Sequence, residues 1–194
     1  MSAIRLRGAT SGTTDVVAAA IAGDGVMTLP SGTGTLATAA SVATAKAEAI
    51  AATTFTSSVF LNTANGYGST NNKIRRFTNT VRNSGPDITY ADSASLGATF
   101  TINTTGMYSV HYNDQFNGGA WMGLSLNSTQ LTTDIFSITV ANILSICVAS
   151  ASGNAAVASF SGYLTTGDVV RVHTNGTPSG ATVAAAQFSI ARVG

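Results

Sequence analysis

Gly106-Met107-Tyr108-Ser109-Val110-His111-Tyr112 is followed by the tight turn Asn117-Gly118-Gly119 and then by Trp121-Met122-Gly123-Leu124-Ser125-Leu126. In an extended chain successive side chains point to opposite faces, so Tyr108, Val110 and Tyr112 share one face. An Asn-Gly turn between two such runs is a hairpin signal. The same grammar extends outward. Lys73 to Arg82 precedes the turn Asn83-Ser84-Gly85-Pro86, Ile88-Thr89-Tyr90 follows, and Ala98 to Asn103 leads into the deciding stretch. After it come four more candidate strands: Ile135 to Val148, Ala155 to Leu164, Val169 to Thr174 and Val183 to Val193. Short strands at this spacing, with no helix between them, predict an all-β antiparallel sandwich of the jelly-roll kind.

The rest of the 194 residues has a different texture. Residues 1–37 read as an extended arm: its apolar stretches, carrying Ile4, Leu6, Val26, Leu29 and Leu36, are too short for a core and are punctuated by Gly and Pro. Such a segment orders most readily by adding strands to something else, and the competing reading is a loose terminus. Residues 38–72 read as an Ala-rich helix or linker, because Thr38 to Ala52 lacks Gly and Pro and alanine has the highest helix propensity. Val42 and Ile50 lie on one helical face with Lys46 between them, so the segment is either a self-association stalk or a plain linker. The sandwich is placed at 73–194.

Composition limits the chemistry. Only 9% of residues are charged, the formal net charge is +1, and there are two histidines and one cysteine. No basic field favours nucleic acid, and no apolar run is long enough for membrane insertion. Cys147 sits in the apolar run Ile143 to Val148, reads as a small buried hydrophobe, and has no partner for an intrachain disulfide. The N-terminus lacks the apolar core of a signal peptide, which implies synthesis in the cytoplasm. A chain this weakly charged is expected to cover much of its surface with partners, against the alternative of a monomer in a Ser/Thr/Asn coat.

Three pieces resemble C1q/TNF-like jelly rolls. Gly106-Met107-Tyr108-Ser109-Val110 is similar to their central Gly-x-Tyr-x-Val strand. Phe160 to Val170, with Gly167-Asp168 at the turn, resembles a strand–turn–strand unit of the family, and Phe188 to Val193 resembles its last strand. The resemblance implies a homotrimer, with Tyr108, Val110, Tyr112, Phe188 and Ile190 in the core or at the trimer contact. There is no Gly-x-y repeat for a collagen tail and no paired acidic loop for calcium. Thr10 to Gly12 and Met27 to Leu36 are similar to segments of bacteriophage tail-fibre and other virion appendage proteins, and Asn65 to Phe77 resembles the entry to jelly-roll domains of phage structural proteins. That second resemblance implies a virion location, on the capsid surface or the tail, and contacts with other virion proteins.

No catalytic residue and no cofactor is expected. His111 and His173 lack a third metal ligand, and no Gly-x-Ser-x-Gly elbow singles out a serine. Asp87, Asp92, Asp114, Asp134 and Asp168 are read mostly as turn residues. Lys73, Arg75, Arg76 and Arg82 are read as a solvated edge strand, with an anion contact as the alternative. Trp121, with Tyr67, Tyr90 and Phe116, is either a carbohydrate platform or core. Asn117, Trp121 and Asn175 mark the candidate receptor loops, with a host surface glycan as their ligand. The expectation is a non-enzymatic, trimeric capsid decoration protein (cement or head fibre) anchored by its arm. A tail fibre or tail-tip adhesin is the first alternative and a tailspike-type carbohydrate-active domain the second.

Overall fold

The computed structural model describes residues 3–7, 13–17, 40, 42–47, 57–150, 155–177 and 185–193. The chain divides into two units, Met1–Val42 and Ala43–Gly194. In the first, β1 (Ala3–Arg7) and β2 (Thr13–Val17) form an antiparallel hairpin whose register pairs Ile4 with Val16 and Leu6 with Thr14. Its two-stranded sheet has no third strand among the described residues. Val26, Leu29 and Leu36 lie outside the described residues. Of the Ala-rich segment, residues 40 and 42–47 are helical and exposed.

The second unit is a sandwich of two five-stranded antiparallel sheets. Sheet I has the order β10 (Ala155–Leu164), β7 (Gly106–Gln115), β12 (Gln187–Arg192), β3 (Ser58–Tyr67), β4 (Arg75–Ser84). Sheet II has the order β5 (Ile88–Ser93), β6 (Gly97–Ile102), β11 (Val169–Thr174), β8 (Ala120–Leu126), β9 (Ile143–Ala149). From β7 onward the chain alternates between the sheets, apart from the β8–β9 pair, which is the jelly-roll path.

Two boundaries correct the sequence reading. The sandwich does not begin at residue 73: β3, expected to be linker, pairs with both β12 and β4 inside sheet I. Its Val59, Leu61 and Ala64 join the core. The second correction concerns Ile135 to Val148, which is not one strand. Ile135–Ser137 and Val140–Asn142 are short 3-10 turns, and only from Ile143 does the chain pair with β8. Residues 127–142 instead form a strap over the outer face of sheet II.

The core follows from strand alternation. Tyr108, Val110 and Tyr112 point inward from β7 and meet Phe188 and Ile190 of β12, all with 0% exposure in a single chain. These five residues are therefore core packing within one chain, not trimer contacts. Phe100, Ile102, Met122, Leu124, Val170 and Val172 face them from sheet II. The Phe100 and Phe188 rings stack at 3.9 Å across the sandwich, and Phe77 meets Tyr112 edge-on at 6.5 Å. Each such side chain contributes about 1.5–3 kcal/mol on burial.

Candidate interaction surfaces

The outer face of sheet I is built by the residues that alternate with this core. Pairing register aligns Ser159, His111, Ser189, Phe60 and Arg82 in one row across the five strands. The next row is Ser161, Ser109, Ala191, Ser58 and Ser84. Arg82, on the edge strand, is the one Lys, Arg, Asp or Glu in the two rows. Met107 and Tyr163 lie opposite each other at one end of this face, Tyr163 64% exposed. Val157 is exposed at the other end. Ser109 Oγ lies 2.9 Å from His111 Nε2. The result is a face of mostly Ser and Ala with His111 and Phe60 among them, nearly free of charge and with exposed apolar groups at its ends.

The structure brings together the residues expected in receptor loops. Asn175 Oδ1 accepts the Trp121 backbone N–H at 2.8 Å, and the Asn175 N–H donates to the Trp121 carbonyl at 3.0 Å. Asn117 lies alongside, its N–H donating to the Thr177 carbonyl. The aromatic company of Trp121 differs from expectation. Phe116 is buried, Tyr67 lies over Arg75, and Tyr90 stacks on Phe100 at 5.3 Å. The ring beside Trp121 is Phe136, 5.3 Å away and tilted by 38°. Trp121 is 38% exposed and Phe136 51%, so the indole is a surface group at the rim of sheet II.

Phe136 comes from the strap. Its neighbour Ile135 is fully buried against Gly123, where a Cβ would approach Ile135 Cγ1 to 3.2 Å and the Ser145 carbonyl to 2.2 Å. Inserting Ile135 under the strap turns the next residue outward. The strap is also tied by His173, whose Nε2 lies 2.7 Å from the Thr133 carbonyl. A carbonyl only accepts, so Nε2 carries the proton, while Nδ1 is buried with no partner among the described residues. Burial holds the imidazole below its ordinary pKa. His111 and His173 lie on different sheets, and no group of three His, Cys, Asp or Glu suited to a metal occurs among the described residues.

The basic cluster is not a solvated edge. Arg75 is 1% exposed and its Nε donates to Asp114 Oδ2 at 2.7 Å. The guanidinium lies over the Tyr67 ring at 5.2 Å and the Phe116 ring at 5.5 Å. Tyr112 donates its hydroxyl to the same Asp114 oxygen at 2.7 Å, and the Gln115 N–H satisfies the other oxygen. Burial, then the Asp114 charge, pushes the Tyr112 phenol well above its ordinary pKa, and burial raises Tyr67 to about 12. Asp114 thus sits inside a strand, not in a turn. Asp92, inside β5, and Asp87, just before it, are ion-pair partners of Arg76 at 2.9 Å and Arg192 at 3.7 Å. Arg82 alone of the four basic residues is fully on the exposed edge, since Lys73 pairs with Asp134 at 2.7 Å. The hydrogen bond from Lys73 holds the Asp134 carboxyl below its usual range, with a second from the Asn175 amide. Cys147 is half-buried against the core, and burial raises its thiol pKa.

No protein-family model matches the chain, and no curated protein matches its sequence. Solved structures do match. Murine APRIL at pH 8.5 aligns with a TM-score of 0.49 and 15% identity, covering 70% of this chain and 98% of the APRIL chain. Murine APRIL at pH 5.0 aligns over the same shares with a TM-score of 0.48 and 14% identity. The fold, read from its strand order, is an all-β antiparallel jelly-roll sandwich.

Proposed function

We propose that this protein is a non-enzymatic structural component of a bacteriophage virion, a trimeric capsid decoration protein held by its N-terminal arm. The observation that carries the self-association is the outer face of sheet I. Two aligned rows across five strands present one Lys, Arg, Asp or Glu, Arg82 at the edge; the rest are Ser and Ala apart from His111 and Phe60. Burying such a face against a neighbouring copy of the chain desolvates few charges, since Arg82 lies only at its edge, and desolvation of unpaired charge is a main penalty in forming an interface. An obligate trimer interface is expected to bury more than about 1,600 Å².

The arm supplies the attachment. Among the described residues the hairpin has no third strand, so each of its strands offers an outer edge as a template for adding strands from a neighbour. Three arms on one trimer gain effective concentration, so avidity can exceed the affinity of one arm by ~10² or more. The virion placement rests on the resemblance of the arm to phage appendage proteins and of the Asn65 to Phe77 segment to phage structural proteins. The second reading, a tail fibre or tail-tip adhesin, is favoured by the surface-exposed Trp121 and Phe136. Deleting residues 2–37 is expected to leave a folded trimer that no longer binds particles; retained binding refutes the anchoring role. Replacing Ser189 with Glu is expected to convert the trimer to monomer in light scattering, and an unchanged mass refutes the sheet I interface. Cryo-electron microscopy of intact particles separates the two placements: threefold density across the capsid lattice supports decoration, and density confined to the tail supports the adhesin.

A further inference from the structure

We propose that Trp121 and Phe136, with the Lys73–Asp134 pair at their edge, form a binding site for a neutral saccharide that presents a vicinal diol. The site lies on the outer face of sheet II, away from the face of sheet I assigned to self-association, and it does not depend on where the trimer sits.

Three features carry the assignment. The first is the platform. Two aromatic rings 5.3 Å apart are both exposed, and Val148, directly across from Trp121 on β9, is 49% exposed beside them. Three exposed apolar side chains grouped in this way offer a surface on which an apolar ligand face can pack. The C–H-bearing face of a pyranose is apolar and places positive hydrogens against the negative face of an aromatic ring.

The second feature is the polar edge. Asp134 lies two residues before Phe136, and its carboxylate meets Lys73 Nζ at 2.7 Å with both groups partly exposed. The carboxylate can accept a further hydrogen bond, and the ammonium has donors beyond the one used on Asp134. An acceptor and a donor side by side match two adjacent hydroxyls, one donating and one accepting. Because the two charges cancel, the edge favours an uncharged ligand over an anionic or cationic one. That is the charge complementarity on which the choice of occupant rests.

The third feature is preorganisation. Asn175 joins the two halves: its side-chain oxygen accepts the Trp121 N–H, and its amide group donates to Asp134. The Trp121 carbonyl accepts from Thr174 Oγ1 at 3.0 Å and from the Asn175 N–H. Burial of Ile135 fixes the turn that presents Phe136. The groups that meet the ligand are therefore held before it arrives, which lowers the ordering cost of binding.

Trp121 is the only tryptophan, so its fluorescence reports on the site directly. The full chain would be titrated with glucose, galactose, mannose, N-acetylglucosamine and their short oligomers. The expected result is a saturable change with at least one of them, half-complete below roughly 10 mM. Phe136→Ala and Asp134→Ala are each expected to weaken that response tenfold or more, while Tyr163→Ala, on sheet I, leaves it unchanged. Phe136 is exposed and Asp134 partly so, and circular dichroism checks that both variants keep the wild-type fold. No saturable response with any sugar overturns the proposal. So does a response that both variants retain. An emission shift that follows protein concentration alone also overturns it, because a second copy of the chain then covers the rings.

Discussion

Replacing Arg75 with methionine tests the buried charge network most directly. The side chain is 1% exposed, and its ion-pair partner Asp114 is equally enclosed at 1%. Methionine keeps the stem between the Tyr67 and Phe116 rings but removes the guanidinium. Asp114 then retains only the Tyr112 hydroxyl and the Gln115 N–H to stabilise a buried carboxylate. Breaking a buried pair in this way costs about 3–5 kcal/mol, most of it from the charge left behind. For a unit of about 150 residues each kcal/mol lowers Tm by about 2–4 °C, so the expected fall is roughly 6–20 °C. The assay is thermal unfolding by circular dichroism, at one fixed protein concentration because self-association couples to Tm. Removing both charges in R75M/D114L is expected to recover most of the loss, since an apolar replacement of a buried pair is often close to neutral. A single variant that costs less than about 1 kcal/mol would show that the pair is effectively solvated. A double variant as unstable as the two singles added together would show that the guanidinium acts through packing and not through charge. Either result refutes the reasoning.

The strap over sheet II yields two more expectations. His173 is held below its ordinary pKa of 6.5 by burial, so between the folded value and 6.5 the unfolded chain binds a proton that the folded one does not. Stability is accordingly full above about pH 6.5 and declines as the pH falls through that window, and His173→Gln is expected to flatten this part of a urea-midpoint profile. A wild-type profile flat from pH 7.5 to 5 sinks the idea. Gly123→Ala places a methyl 2.2 Å from the Ser145 carbonyl and 3.2 Å from Ile135, on backbone that cannot turn aside. It is expected to cost about 1–3 kcal/mol and to change Trp121 emission as Phe136 shifts, and an unchanged spectrum and midpoint would refute the packing of the strap.

Strand alternation made much of this molecule readable without coordinates. Tyr108, Val110 and Tyr112 had to share a face because side chains alternate along a strand, and that face is the core. The same rule contained a signal for Arg75, which stands two residues before Phe77 and so shares its inward face. Three nearby basic residues masked that signal, since a run of charges reads as solvated. Residues 57–67 fall within the stretch that reads as Ala-rich helix or linker, and their short apolar run Val59-Phe60-Leu61 acquires meaning only between β12 and β4.

What the sequence determined by itself was local: the alternating runs, the turns between them, the antiparallel all-β class and the scarcity of charge. Those properties depend on near neighbours in the chain, where the period of two and the preferences of Asn and Gly operate. Only the tertiary structure decided which partners those residues meet. Arg75 finds Asp114 39 residues away, and Trp121 is joined to Asn175 across 54. Phe136 reaches Trp121 from an irregular strap with no period to read. Such pairings are set by strand order and register, which arise from the packing of the whole sandwich and leave no trace in any one segment.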